Sequence, residues 1–308
     1  MAERSGDTAF GRKTIKVHLG DARSCQSGVA LRFPPQSKIV WLRPKPCYGF
    51  TLNDFVQAGH SFRYSPDVRP DARLSLPLLR LRLRRLASPS DAKFLQRYFK
   101  TAPGEYGAGD RFIGVRVPVL RRLAREFRAL PLTEITALLR SPIHEERLLA
   151  LLMLVNAGRR ADETGRAAIF DLYLANLNRI NNWDLVDSSA PPIVGRHLAQ
   201  RSRKILFRLA RSKNVWHRRV AVLAAFYFIR QGDFADALRL AERLRDDEHD
   251  LIHKAVGWML REIGKRDAAV LGRFLDAHAA RMPRTMLRYA IEKLSERARR
   301  RYLRAGKA

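Results

Sequence analysis

Cysteine is nearly absent from this chain: Cys25 and Cys47 are the only two in 308 residues. That excludes a disulfide framework, and no Cys or Cys/His spacing suits a zinc site. The eight histidines form no ligand cluster either, so neither a metal nor a cofactor is expected. Long apolar runs are missing, which argues against a segment that crosses a bilayer. The first residues lack the apolar stretch of a secretory signal, and a reducing, cytoplasmic setting is the default expectation. Acidic residues are scarce, 30 Asp+Glu against 59 Lys+Arg, for a formal net charge of +29. A surplus of that size speaks about partners rather than fold. Nucleic acid is the expected polyanion, and an anionic membrane surface ranks behind it.

Residues 1–88 also lack sustained periodicity. They hold 16 Lys+Arg and 6 Asp+Glu, a net of +10, which leaves +19 for the remainder. Prolines recur at 34, 35, 44, 46, 66, 70 and 77, and apolar residues come in short bursts such as Ile39–Leu42 around Trp41. Leu76 to Leu86 alternates Leu and Arg, which fits a short strand or nothing stable. The segment reads as a basic, mostly disordered extension. Three accounts of it stay open: a basic tail that adds DNA affinity, a targeting extension, or an over-extended start with translation beginning near residues 85–90. The last is favoured, because composition changes where regular periodicity begins.

From residue 89 to 308 the pattern is helical. Ser90 or Asp91 is placed to cap a helix bearing Phe94, Leu95, Tyr98 and Phe99. The turn-rich run Pro103–Asp110 follows. Phe112-Ile113-Gly114-Val115 then leads to a helix with Pro118 near its first position, where the missing N–H costs nothing. Beyond it the chain repeats itself. Arg147, Arg219, Lys254 and Arg288 each open a mainly small and apolar helical run, at spacings of 72, 35 and 34. Each of these four runs, and a fifth repeat centred on Trp183–Asp187 that fills the double spacing, is preceded by another apolar helix: Leu132–Leu139, Ala167–Leu177, Lys204–Leu209, Asp236–Leu244 and Val270–Ala279. Helix pairs at a fixed period predict an all-α, HEAT-like solenoid. If the second helices line its concave side, the repeated basic residues form a positive track for phosphates, helped by helix N-termini.

The repeat that fills the double spacing is unlike the others. Asn181-Asn182-Trp183-Asp184-Leu185-Val186-Asp187 places Trp183 and Asp187 four apart, on one helix face. Asn181 or Asn182 can cap that helix. Pro191 follows closely, and a proline inside a helix pushes on the carbonyl four residues back, here that of Asp187.

Three segments in order, Asn182–Asp187, Asn214–Arg219 and Lys254–Glu262, together with Phe112–Pro118, resemble the AlkD-like DNA alkylation repair glycosylases. The resemblance covers roughly residues 90 to 300. It implies a monofunctional enzyme, acting as a monomer on double-stranded DNA, that excises cationic N7- and N3-alkylated purines. It also implies catalytic roles for Asp187, Trp183 and Trp258, and a phosphate or sugar contact for Arg219. Arg147, Lys213, Arg218, Lys254, Arg261 and Arg288 are then expected as further DNA contacts. The chain departs from the family's prototype at Asn182, where the prototype has a second Trp, and in a longer Gly104–Asp110 loop.

These residue types suit that chemistry. A cationic purine leaves as a neutral base, so no general acid is required. The barrier lies in a sugar that becomes oxocarbenium-like. An ionised Asp187 supplies negative charge and can orient a water, and the indoles of Trp183 and Trp258 offer π faces to developing positive charge. Arg219 would help keep Asp187 ionised. Trp216 is expected in the core, Tyr98 and Tyr106 beside the lesion, and His217 and His253 against DNA or solvent. Two other readings use the same repeats: a DNA-binding scaffold without catalysis, and a protein-interaction scaffold. The first has no need of Asp187, and the second accounts poorly for the charge.

Overall fold

A computed structural model of the chain describes residues 74–305, all within one compact unit, Ser61–Ala308. The readings above for Cys25, Cys47, Trp41 and the proline-rich stretch before residue 74 lie outside the described residues. Among the described residues the chain is helical, with no strand and only an isolated bridge between Arg111 and Ile143. No described helix is long and apolar enough to cross a membrane.

Three helices open the fold: α1 (Leu76–Arg85), α2 (Pro89–Tyr98) and α3 (Val117–Glu126). Helix pairs then follow: α4 (Leu132–Leu139) with α5 (His144–Arg160), and α6 (Glu163–Ala175) with α7 (Trp183–Ala190). Next come α8 (Lys204–Leu209) with α9 (Val215–Ala224), a short α10 (Phe226–Ile229), and α11 (Ala235–Arg243) with α12 (Asp250–Gly264). The array closes with α13 (Ala268–His278), α14 (Arg284–Ala290) and α15 (Glu296–Ala305). The second helices form one row in which α3 packs on α5, α5 on α7, α7 on α9, α9 on α12 and α12 on α14. The first helices α4, α8 and α11 each pack on their own partner. This is the helical-repeat architecture expected from the period.

Helix α5 is the centre of the first half. Leu148 to Val155 are all buried, as in a helix enclosed on every side. The crossing of α12 and α14 depends on Gly257, where a Cβ would collide with the Met286 carbonyl and the Tyr289 side chain.

The first two helices correct the sequence reading. Leu76–Leu86 is neither a strand nor unstructured. Leu79 and Leu83, four apart, are fully buried on one face of α1, while Leu81 and Leu86 stay exposed. The Leu/Arg alternation suggested period 2, but burial uses only the period-4 pair. Acidic groups hold α1 in place: Glu134 accepts the Leu76 N–H at 3.0 Å, and Glu146 accepts from Arg80 Nε at 3.1 Å. Arg82 also pairs with Glu126. The helical array therefore begins before residue 88, and a chain starting at 85–90 would lose these contacts. In α2 the cap is Ser88, whose side chain accepts the Asp91 N–H, with Pro89 at the first helical position. Its apolar stripe is not inward either, since Phe94 and Tyr98 are exposed and Phe99, just beyond the helix, is buried.

Candidate active site

Helix α7 starts where an Asn can cap it. The Asn182 side chain accepts the Trp183 N–H at 2.8 Å, so Trp183 takes the first helical position. The helix does not break at the two prolines. Pro191–Gly195 continues as a π-turn, which absorbs the missing N–H groups.

Asp187 lies one turn after Trp183 and is clamped by Arg219 of α9. Nε donates to Oδ1 at 2.8 Å and Nη2 to Oδ2 at 2.7 Å, a bidentate pair with side chains 6 % (Arg219) and 8 % (Asp187) exposed. Arg219 Nη1 donates to the Leu251 carbonyl at the start of α12, at 2.6 Å. One guanidinium thus ties α7, α9 and α12 together. Burial pushes the Asp187 carboxyl above its ordinary value; the charge and hydrogen bonds of Arg219 oppose that, and nearby Asp184 adds to it.

The two tryptophans sit on α7 and α12, the helices on either side of α9 in the row. Both are half-buried. Trp183 stacks on Phe99 at 5.1 Å between ring centroids, with Tyr98 edge-on at 6.0 Å. Tyr106 also lies near it, and burial raises the Tyr106 pKa while the Trp183 side chain works to lower it. Trp258 leans on Phe226 at 5.9 Å. Tyr98 and Tyr106 therefore do border Trp183. Trp216 is buried in the core, edge-on to Tyr106.

The expected positive track is mostly spent inside the protein. Arg219 commits three of its five N–H groups to Asp187 and Leu251 and is buried, so most of its donors are engaged within the protein. Arg147 is buried, donating to Asp110 at 2.6 Å and to the Ser141 carbonyl at 3.1 Å. Arg261 is buried against Glu292 and Glu262. Arg218 makes a bidentate pair with Asp247, and Lys254 pairs with Asp250 at 2.6 Å. Only Lys213 and Arg288 of the expected contacts are exposed without an ion-pair partner among the described residues. The reason is positional: the starts of the second helices lie between neighbouring repeats, where a cation must be paired. His217 and His253 are likewise taken by protein groups, the Ser212 hydroxyl and the Asp247 carbonyl.

Exposed cations gather elsewhere. Arg125 in the last turn of α3 and Arg128 just beyond it, with Asn156, Arg159 and Arg160 at the end of α5, line an open cleft of about 420 Å³. None of these four arginines has an acidic partner among the described residues. Neighbouring Arg121 has its pKa lowered by burial and by the charges of Arg159 and Arg125.

Sequence reasoning missed the polar quartet at the start of α5. His144, Glu145, Glu146 and Arg147 are consecutive, and all are buried. Glu145 accepts the backbone N–H groups of Ile113, Gly114 and Val115 at 2.8–3.3 Å. That fixes the Phe112–Pro118 segment, in which Gly114 takes φ +83° and leaves no room for a Cβ beside the Ser88 carbonyl. His144 bridges two carboxylates, Asp110 at 3.0 Å and Asp184 at 2.8 Å. Asn181 and Asn182 both donate to Asp110 as well. The available signal was four adjacent polar residues directly before the apolar run Leu148–Val155. Among the described residues, no group of three or more His, Cys, Asp or Glu could hold a metal.

A family model described as "DNA alkylation repair enzyme" matches residues 79–294, more than half of the chain. Among solved structures, a predicted DNA alkylation repair enzyme from Enterococcus faecalis is similar at 19% identity and a TM-score of 0.54, over 68% of this chain and 97% of that one. AlkD2 from Streptococcus mutans is similar at 15% identity and a TM-score of 0.43, over 72% of this chain and 100% of that one. At these identities the likeness concerns the fold alone. No curated protein matches the chain.

Proposed function

Because the chain belongs to the DNA alkylation repair enzyme family, we propose that it is a monofunctional DNA glycosylase. Its substrates are cationic N7- and N3-alkylated purines in duplex DNA, such as 7-methylguanine and 3-methyladenine. Water replaces the base at C1′, and the purine departs neutral, so no acid need protonate it. The protein acts on the sugar. The Asp187 carboxylate stabilises the oxocarbenium-like transition state and orients the water, while the π faces of Trp183 and Trp258 attract the developing positive charge. Lesions whose base is uncharged are poor substrates, because nothing here protonates a leaving purine. The protein works as a cytoplasmic monomer, on the nucleoid if bacterial. The cleft lined by Arg125, Arg128, Arg159 and Arg160, with Lys213 and Arg288, holds phosphates.

One observation carries this reading: the bidentate Arg219–Asp187 pair. Both carboxylate oxygens are fixed, each accepts only one N–H, and the free lone pairs can meet water or the sugar. Arg219 also opposes the burial that would otherwise neutralise the acid. The test is release of free 7-methylguanine from methylated duplex DNA. Wild type releases it; Asp187→Asn releases far less while holding DNA nearly as tightly. No release by wild type would leave a DNA-binding scaffold.

A further inference from the structure

His144 lies outside the reacting groups, yet its surroundings are built with unusual economy. Its Nδ1 is 3.0 Å from Asp110 Oδ2 and its Nε2 is 2.8 Å from Asp184 Oδ2. The ring is 1% exposed. It stacks on Phe112 at 4.3 Å, and Phe99 tilts against it at 5.1 Å. Phe99 carries Trp183 on its ring as well.

A neutral imidazole has one N–H, so one of the two contacts would set a bare nitrogen lone pair against a carboxylate in a dry site. With both carboxylates ionised, only a doubly protonated ring satisfies both. The charges then balance: Asp110 and Asp184 against His144 and Arg147, which also holds Asp110 at 2.6 Å. The titration directions agree with the geometry. Burial works to lower the His144 pKa, but the two carboxylates overcome it and raise it to about 9. Burial works to raise the Asp110 pKa, but His144, Arg147 and Asn182 bring it below the ordinary value.

Asp184 links this array to the candidate site. It follows Trp183 directly, and its Oδ1 accepts the Leu185 N–H at 2.8 Å. It is three residues before Asp187, within one turn of the same helix. The charged and titratable groups facing Asp187 are Arg219 of α9, Tyr173 of α6 and Asp184 of its own helix. Those facing Asp184 include His144 of α5, Tyr98 of α2 and Tyr106 of the loop between α2 and α3. His144 is the cation that ion-pairs with Asp184 among the described residues.

We propose that His144 is a positioning residue: held as an imidazolium between Asp110 and Asp184, it fixes the first turn of α7 beneath Trp183 and cancels the charge of Asp184, so that Asp187 can stay ionised. This rests on the glycosylase reading for its consequence in catalysis, but not for its electrostatics. His144 itself does not reach substrate, because its ring is sealed between Phe99 and Phe112.

Two variants separate this role from mere support. His144→Gln keeps a donor but not the charge, so Asp184 stands uncompensated and Asp187 is harder to ionise. The acid limb of kcat for 7-methylguanine release moves to higher pH, with about a tenfold loss on the limb for each unit moved. Asp184→Asn removes the like charge, and the limb moves to lower pH. A purely structural role would lower activity in both variants without moving the limb in opposite directions, and that result overturns the proposal. The same experiment is read without catalysis by NMR of the full chain. Selectively ¹⁵N-labelled His144 shows both ring nitrogens protonated at pH 8 in wild type, and the ¹³C-labelled Asp187 carboxyl titrates at higher pH in His144→Gln than in wild type. A neutral His144 at pH 8, or an unmoved Asp187 titration, also overturns it. If wild type releases no base while the NMR arm behaves as stated, the glycosylase reading fails and the electrostatic coupling stands.

Discussion

The two ends of α5 both carry basic residues and treat them in opposite ways. At its start, His144, Glu145, Glu146 and Arg147 are 1–3 % exposed, and each has a defined partner. Those partners come from α1, the loop before α3, the Phe112–Pro118 segment and α7. At its end, Arg159 and Arg160 face an open cleft with Arg125 and Arg128 and have no acidic partner among the described residues. Cations at the first end hold elements in place; those at the second are free for an anion. A residue's charge in the sequence does not distinguish these uses. What distinguishes them is whether a neighbouring repeat supplies a carboxylate.

The comparison can be broken most severely at Glu145. Glu145→Ala leaves the N–H groups of Ile113, Gly114 and Val115 buried without an acceptor. At about 1–3 kcal/mol for each orphaned buried group, with partial relaxation, the loss is roughly 3–5 kcal/mol. Urea unfolding measures it, and a loss under about 1 kcal/mol would mean that the quartet is not a structural hub.

Next in size is the pH dependence of stability from His144. Its folded pKa, about 9, lies above the ordinary 6.5. Its contribution is therefore fully present below pH 6.5 and is lost as pH rises to 9, an effect on the order of 3 kcal/mol. Wild type should lose this stability between pH 6.5 and 9, and His144→Gln should not. Parallel curves for the two proteins would count against a charged His144.

The smallest effect on folding belongs to the other end. Arg125→Glu with Arg159→Glu removes no ion pair, so stability should change by about 0.5 kcal/mol or less. Affinity for duplex DNA should fall at least about tenfold, and the slope of log affinity against log salt should shrink by about 2. An unchanged slope would remove this cleft from the DNA-binding surface.

Much of this architecture was legible in the sequence. The period near 35 came from the recurrence of Arg147, Arg219, Lys254 and Arg288, and it located the second helices, which begin three or four residues before each of them. The Asn cap before Trp183 was readable because it is local. The Asp187–Arg219 pair could be anticipated only as a charge influence, since its bidentate geometry joins different repeats. The quartet was not legible for a similar reason: Asp110 lies 34 residues from His144, and Arg80 lies 66 from Glu146. Helix α1 was misread because its alternating leucines imitate a strand, while its buried face uses only Leu79 and Leu83. Register in the repeats showed where cations recur but not that adjacent acids consume them.

The most direct test concerns the carboxylate held by Arg219. Purified wild type and Asp187→Asn would be incubated with methylated duplex DNA under single-turnover conditions, and free 7-methylguanine counted. The expected result is release by wild type and a loss of about a hundredfold or more in the variant, with DNA affinity within a few-fold. Equal rates from the two proteins would contradict the role given to Asp187.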